Sequence, residues 1–137
     1  MIFGIGVDIV GVARIAQWER FSDQKLEKIF SDDELADCMQ QHIRNWEKVA
    51  ARFAAKEAAY KALSQTLQGL GLTANTMSFL VFCKHICIKT NDWGPHLEID
   101  WLALEQKLHC KLPELTTHLS LSHEKEMAVA CVIIEKQ

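Results

Sequence analysis

The chain has 137 residues and a formal net charge of −3, which favours one domain and provides no long-range attraction to nucleic acid. Although 49% of the residues are hydrophobic, no apolar run approaches the roughly 20 residues that span a membrane. The five cysteines form no C-x-x-C pair, and no secretory signal is recognisable at the N-terminus. We therefore expect a single domain over residues 1–137 in the reducing cytoplasm, with free thiols and no nucleic-acid or membrane partner.

The first predicted element is a buried strand from Ile2 to Val10, because apolar and small residues dominate this segment. Asp8 is the exception in it. A carboxylate among apolar neighbours is costly to bury unless it is paired or bound to a cation. Asp8 is therefore a candidate for an ion pair or a cation site.

A helix is predicted next, from about Ala13 to Phe30, since apolar residues recur in it at helical spacing. Its unusual feature is a stripe at i, i+4, i+7 and i+11 that mixes cations with large rings. The stripe consists of Arg14, Trp18, Phe21 and Lys25. Such side chains either cover the edges of the core or remain partly exposed for another role.

A capping box and a run of alanines predict the two helices that follow. Ser31 and Glu34 occupy the two ends of a capping box, which starts a short helix that reaches roughly Gln41. The longest helix is predicted from Asn45 to about Gln68, just before a glycine-containing segment. Its many alanines give high helix propensity and allow another element to approach closely.

The C-terminal half of the chain predicts mostly strands. The elements in order are a strand from Met77 to Lys89, a turn at 91–95, a returning strand from His96 to Ile99, a short helix from Trp101 to His109, and two strands within 118–135 joined by a turn at 123–126. This order does not repeat βαβ units. It predicts an α+β fold with a mainly antiparallel sheet packed against the long helix.

Cys83, His85 and Cys87 would share one face of the predicted strand, because side chains alternate along a strand. A soft-metal site is therefore conceivable there. However, the trio lacks the spacing and the fourth ligand of usual zinc sites, and free cysteines are often simply buried. We favour the buried interpretation and keep a Cys/His metal-binding domain as an alternative that metal analysis would test.

The long helix carries a second chemical pattern. Glu57 and Lys61 lie four residues apart, so they share a face, and alone they would form an ordinary surface ion pair. Asp8 and Glu57 together would supply two carboxylates, the protein ligands that Mg²⁺ typically uses beside substrate phosphates. Lys61 would face the same phosphate, and His123, which follows a strand, adds a titratable group. These residues indicate a candidate Mg–phosphate site.

Four segments resemble, in order, those of the small bacterial holo-acyl-carrier-protein synthases. They are GIGVDIVGVARI (4–15), FSDDEL (30–35), RFAAKEAAYKAL (52–63) and LSLSHEKEMAVACVII (119–134). One such motif is moderate evidence, whereas four in register are specific. The resemblance implies the α+β fold of 4′-phosphopantetheinyl transferases and a reaction in fatty acid biosynthesis. In that reaction, phosphopantetheine moves from coenzyme A (CoA) to a serine of apo-acyl carrier protein, leaving 3′,5′-ADP.

The resemblance also implies roles for individual residues. Asp8 and Glu57 would hold Mg²⁺ against the CoA pyrophosphate, and Glu57 and Lys61 would carry the catalysis. Arg52, Lys61 and His123 would bind CoA, with Arg52 and His123 on the nucleotide side. The stripe of Arg14, Trp18, Phe21 and Lys25 would dock the acidic carrier protein.

A homotrimer is a further expectation, because the small members of this family form trimers with active sites between subunits. The predicted strand from Met77 to Lys89 has large side chains on both faces between Phe79 and Ile88. A one-sided antiparallel sheet requires fewer of them. Phe79, Val81 and Cys83 are therefore candidates for the contact between subunits. The alternative is that these three side chains belong to the core of one chain.

Two departures from the family pattern concern nucleotide binding. Ser64-Gln65-Thr66 stands where the family has a glycine-rich G-T-G stretch, and the hairpin at 91–95 lacks the lysine of the family's N-D-x-x-G-K-P.

Two other activities remain open. A Mg-dependent phosphohydrolase would consume CoA without a carrier protein, whereas a non-catalytic CoA- or carrier-binding module would leave both substrates unchanged.

Overall fold

The protein has the predicted α+β fold, and the computed structural model describes residues 1–72 and 77–136. A 3-10 helix (Gln17–Arg20) joins the first two of six α-helices, and seven strands complete the described part of the chain. These elements are β1 (Ile2–Gly11), α1 (Val12–Ala16), α2 (Asp23–Leu26), α3 (Asp32–Asp37), β2 (Met39–Gln40), β3 (Ile43–Arg44), α4 (Trp46–Gly69), α5 (Phe79–Cys83), β4 (Ile86–Asn91), β5 (Gly94–Ile99), α6 (Trp101–Leu108), β6 (Leu115–His123) and β7 (Met127–Lys136). Within the described ranges, no helix is long and apolar enough to cross a membrane.

Helix α4 packs against a three-stranded antiparallel sheet with the order β1-β7-β6, as the sequence predicts. The Asn45 side chain accepts a hydrogen bond from the Lys48 amide at 3.1 Å and caps the helix start. Alanines on α4 and on β7 are buried where the two elements meet. Small side chains on both sides bring the helix close to the sheet, and this closeness positions the candidate site.

The predicted single helix from Ala13 to Phe30 is wrong, because the chain is extended in the middle of this segment. Phe21 has φ −80° and ψ 145°, and Ser22 has φ −63° and ψ 153°. Ser22 is then the N-cap of α2, a position that serine favours. The Trp18 ring meets the Phe53 ring edge-on, with centroids 5.0 Å apart. Packing against α4 thus outweighs the continuous helical pattern.

The predicted strand from Met77 to Lys89 is also wrong in its first half, which forms helix α5. Ser78 is the N-cap and accepts a hydrogen bond from the Val81 amide. Phe79 packs against the Phe53 and Tyr60 rings, and Cys83 is buried. The argument for a subunit contact from both faces of a strand therefore fails for Phe79, Val81 and Cys83.

The strand-based interpretation of Cys83, His85 and Cys87 fails for the same reason, since Cys83 ends a helix and Cys87 lies in β4. Among the described residues, no group of three or more His, Cys, Asp or Glu side chains is placed to hold a metal ion. The hairpin that follows is as predicted, with Asn91 opposite Gly94. Helix α6 and the strand pair β6–β7 are likewise confirmed.

The predicted capping box is present, and one of its members has a second role. The Ser31 hydroxyl accepts from the Glu34 amide at 3.2 Å, and Glu34 accepts from the Ser31 amide at 2.7 Å. The helix ends at Asp37 and does not reach Gln41, which has a positive φ of 49°. Glu34 is fully buried and forms an ion pair with Lys56 at 2.9 Å. This pair was not predicted from the sequence.

Candidate active site

Three of the predicted site residues meet where β1 lies against α4. Asp8 is only 8% exposed. The Lys61 Nζ donates to Asp8 Oδ1 at 2.8 Å and to the Val7 carbonyl oxygen at 3.1 Å. Glu57 lies one turn before Lys61, and its carboxyl group is within hydrogen-bonding reach of Asp8. A strand and a helix therefore present two acids and one cation at one place.

Glycines in β1 make this close approach possible. A Cβ atom at Gly6 would overlap the Ala58 carbonyl oxygen, and one at Gly4 would overlap the Ala62 carbonyl oxygen. Without Cβ atoms, the strand backbone rests directly on the backbone of α4. Asp8, two residues after Gly6 on the same face of the strand, is thereby brought to the level of Glu57.

The carboxyl groups of Asp8 and Glu57 differ from those of exposed acids in their electrostatic environment. Burial, a hydrogen bond to Asp8 and the Asp8 charge, in that order, raise the pKa of Glu57 to about 7, while Lys61 and Arg14 act in the opposite direction. Asp8 Oδ2 is buried and has no hydrogen-bond partner among the described residues. An orphaned carboxylate oxygen beside a second acid fits a hard divalent cation such as Mg²⁺, which prefers oxygen ligands.

The four residues of the predicted docking stripe do not share one helix, but three of them, Trp18, Phe21 and Lys25, remain neighbours. Arg14 lies in α1, close enough for its charge to lower the pKa of Glu57. The Trp18 ring stacks on the Phe21 ring with centroids 6.0 Å apart. The Lys25 Nζ lies 4.8 Å from the centre of the Phe21 ring. The extended residue Phe21 thus joins the two cation-bearing helices.

Arg52 and His123 are not brought to this cluster within one chain. Arg52 is 8% exposed and contacts Asp37 at 3.5 Å. It lies five residues before Glu57, about 140° around the helix axis. His123 ends β6, and its Nδ1 is 3.4 Å from Glu47 Oε2. A surface hollow of about 540 Å³ lies between α2 and the β4–β5 hairpin, and none of the predicted metal, catalytic or CoA-binding residues lines it.

Gln65 is a neighbour of the cluster that the sequence did not identify as a site residue. Its Oε1 accepts a hydrogen bond from the Ile5 amide at 2.6 Å. The signal that could have found it is the spacing of four, since Glu57, Lys61 and Gln65 follow one another at i, i+4 and i+8. Residues so spaced lie along one side of a helix.

Known proteins resemble the chain over almost its whole length. The model of the 4′-phosphopantetheinyl transferase superfamily matches residues 4–132. A holo-[acyl-carrier-protein] synthase of Treponema denticola is 40% identical over 137 residues. The match covers 98% of this chain and 99% of that protein. One from Dechloromonas aromatica is 38% identical over 136 residues, and 98% of each chain is covered.

Solved structures of similar proteins support the same assignment. An ACPS–CoA complex of Chronobacterium ammoniagenes matches with a TM-score of 0.73 and 27% identity, covering 98% of this chain and 97% of that one. A holo-(acyl-carrier-protein) synthase of Bacillus anthracis in complex with CoA (3′,5′-ADP) matches with a TM-score of 0.67 and 34% identity, covering 100% and 99%. The chain therefore belongs to the 4′-phosphopantetheinyl transferase superfamily.

Proposed function

We propose that this chain is a single-domain holo-acyl-carrier-protein synthase that acts in fatty acid biosynthesis. It transfers 4′-phosphopantetheine from CoA to a serine of apo-acyl carrier protein and releases 3′,5′-ADP. The observation that carries this proposal is the cluster of Asp8, Glu57 and Lys61, because two acids and a lysine suit a metal-bound pyrophosphate. The names of the similar proteins, and the CoA in two of the similar structures, support the choice of substrates.

The chemistry proposed for the site follows from its residues. Asp8 and Glu57 are the residues that would hold Mg²⁺, which when bound supplies positive charge against phosphate oxygens. Lys61 has a side chain that is 55% exposed, so it can turn from Asp8 towards a phosphate and stabilise charge on the leaving group. Glu57, or a water that it orients, is the group that would accept the serine proton.

The first test is a transfer assay with apo-acyl carrier protein, CoA and Mg²⁺, read as the phosphopantetheine mass increment on the carrier. Asp8→Asn and Glu57→Gln should each remove most of the turnover while the variants stay folded. Glu124→Gln removes an exposed acid from the β6–β7 turn and is the matched control. Near-normal turnover of either site variant at limiting Mg²⁺ would contradict the metal assignment. Consumption of CoA without carrier protein would instead indicate a hydrolase.

We also propose that Arg14, Trp18, Phe21 and Lys25 form the docking surface for the acidic carrier protein. The support is that Arg14 acts electrostatically on Glu57, so this surface borders the site. Arg14→Ala should raise KM for the carrier protein and weaken its salt dependence, with KM for CoA nearly unchanged. Lys28→Ala, an exposed cation nearby, is the control. An equal loss for both substrates would indicate a folding defect.

A homotrimer is the assembly that we propose, with Arg52 and His123 binding the nucleotide in a site shared between chains. An apolar, exposed stripe on the outer face of the sheet supports contact between copies: Ile5, Val7 and Ile9 are 49%, 54% and 64% exposed. Sedimentation equilibrium should give three times the 15.6 kDa chain mass, and Val7→Asp should dissociate the assembly. A wild-type monomer with full activity would contradict the shared site.

The cysteines support a reducing cytoplasm as the proposed compartment. All five are free thiols. Burial raises the pKa of Cys38 to about 11 and the pKa of Cys83 to about 12, so both remain protonated at neutral pH. Metal ligation requires the thiolate, and a raised pKa therefore disfavours the alternative Cys/His site.

A further inference from the structure

A buried ion pair lies on helix α4 next to the candidate site, and the proposed chemistry gives it no role. Lys56 Nζ is 2.9 Å from Glu34 Oε2, and both side chains are fully inaccessible to solvent. Lys56 directly precedes Glu57, so the two side chains leave α4 about 100° apart. Lys56 is directed to α3, whereas Glu57 is directed to Asp8 on β1. Neighbouring residues of α4 therefore contact different parts of the fold.

The Lys56 ammonium group is held by three acceptors from three elements. Besides Glu34 on α3, it donates to the carbonyl oxygen of Cys83 at 3.3 Å, at the end of α5, and to that of Ile86 at 3.0 Å, at the start of β4. An ammonium group has three hydrogens, so these acceptors use all of them. Glu34 is itself held, because it accepts from the Ile88 amide at 2.8 Å. The end of the Lys56 side chain is thus fixed in direction as well as in distance.

Stability alone is a weak reason for such a pair. Replacing a buried ion pair by apolar residues of similar volume is often neutral or even stabilising, because the desolvation of two charges offsets their attraction. What an apolar replacement does not reproduce is the directional requirement of the three hydrogen bonds. A role in fixing one arrangement of the neighbouring elements is therefore the more informative explanation.

The buried surface of α4 around Glu57 gives few other contacts that would fix the rotation of the helix about its axis. It consists largely of completely buried alanines, namely Ala54, Ala55, Ala58, Ala59 and Ala62. Methyl groups form low ridges, so they allow close approach but interlock weakly with the facing element. Lys56, in contrast, is the largest fully buried side chain among the described residues. It is the side chain best placed to set the rotation of this part of α4.

The candidate site is sensitive to that rotation because it is divided between a helix and a strand. Glu57 belongs to α4 and Asp8 belongs to β1. The end of a side chain lies about 6 Å from the helix axis, so a rotation of about 10° moves it by about 1 Å. A misplacement of about 1 Å in an active site can lower the rate by a factor of about 100.

We propose that Lys56 and Glu34 are positioning residues, which fix the rotation of α4 and thereby hold the Glu57 carboxyl group opposite Asp8. This inference rests on the proposed function, which supplies the reaction that the arrangement serves. Neither residue touches the substrate, because both are fully buried. Their effect on the reaction passes through Glu57.

The test compares the double variant Lys56→Met/Glu34→Gln with wild type at a temperature at which circular dichroism shows both to be folded. In the transfer assay, kcat should fall about tenfold or more, because the Glu57 carboxyl group is displaced. KM for the carrier protein should stay within about twofold, since the docking surface is unchanged. Mn²⁺ binding without CoA, followed by electron paramagnetic resonance, should weaken about threefold or more, because Mn²⁺ uses carboxylate ligands as Mg²⁺ does.

A control separates positioning from a general loss of stability. Leu104→Ala removes a completely buried side chain of α6, a helix that carries no proposed site residue, and it lowers stability by leaving a cavity. Its kcat and its Kd for Mn²⁺ should stay within about twofold of wild type. A second apolar pair, Lys56→Met/Glu34→Met, should reproduce the losses of the first double variant even where its melting temperature equals that of wild type.

The outcomes distinguish the inference from the proposed function. Double variants with wild-type kcat and Mn²⁺ affinity, or equal losses in Leu104→Ala, would overturn the positioning role while the transferase activity stands. A raised KM for the carrier protein at unchanged kcat would also overturn it. Wild-type protein that neither transfers phosphopantetheine nor binds Mn²⁺ would overturn the proposed function, and this inference with it.

Discussion

Replacing Lys56 by methionine should destabilise the protein by breaking a buried ion pair that joins four segments of the fold. Both side chains of the pair with Glu34 are fully inaccessible to solvent. Lys56 also donates to the carbonyl oxygens of Cys83 at 3.3 Å and Ile86 at 3.0 Å. Glu34 accepts in addition from the Ile88 amide at 2.8 Å. The ammonium group thus has three acceptors, and its loss affects α3, α4, α5 and β4 together.

The size of the effect follows from the charge that is left behind. Methionine is unbranched and nearly as long as lysine, so it fills most of the same space. The main stabilisation lost is therefore that of the ammonium group. Removing one partner of a buried pair typically costs about 3–5 kcal/mol, because the other charge stays buried without compensation. For a chain of this length, about 3–4 °C of melting temperature corresponds to each kcal/mol, so the expected fall is roughly 10–20 °C.

The assay is thermal and urea unfolding of the wild type, the single variants Lys56→Met and Glu34→Gln, and the double variant Lys56→Met/Glu34→Gln. Glutamine can still accept from the Ile88 amide but carries no charge, so the double variant should recover at least half of the lost stability. Lys107→Met, at an exposed position of α6, is the control and should unfold within about 2 °C of wild type. A loss for Lys56→Met no larger than the control, or a double variant as unstable as the sum of its single changes, would refute the reasoning.

Three further outcomes are expected from the structure. Gly6→Ala should weaken Mg²⁺ binding and stability together, because its Cβ overlaps the backbone of α4, whereas Gly11→Ala meets nothing within 4 Å and should behave as wild type in calorimetry. Glu57→Gln should raise the melting temperature of the Mg²⁺-free protein at pH 8 but not at pH 4. The folded protein raises this pKa from 4.5 to about 7, so stability due to Glu57 falls as pH rises through that window. Cys83, with its pKa raised to about 12, should react with iodoacetamide no faster than the protein unfolds, and rapid labelling of native protein at pH 8 would contradict this.

Signals that act within a few residues were enough to predict several elements of the fold. The hydrogen bonds of the Ser31 and Glu34 capping box, and the cap at Asn45, connect groups only three positions apart. The turn at 91–95 is equally local. The predicted starts of α3 and α4 are confirmed because the residues that decide them lie beside them in the chain.

The candidate site was predictable in its chemistry but not in its arrangement. The type and spacing of Asp8, Glu57 and Lys61 suggested a site for Mg²⁺ and phosphate, and the resemblance supplied the reaction. The contact between Lys61 and Asp8 joins residues 53 positions apart, and the raised pKa of Glu57 depends on burial that only the fold provides. The hydrogen bond that Gln65 accepts from the Ile5 amide likewise joins residues 60 positions apart.

The sequence by itself determined the fold class and the long helix, since these follow from periodicity and residue types, and it predicted the chemistry of the candidate site. The tertiary structure alone decided the conformation of the short apolar segments. Residues 79–83 are helical and Phe21 is extended, although the local pattern favoured the opposite in each case. In segments this short, helix and strand preferences differ by a few tenths of a kcal/mol per residue. The rings packed on Phe53 and the hydrogen bonds from Lys56 to the end of α5 outweigh differences of that size.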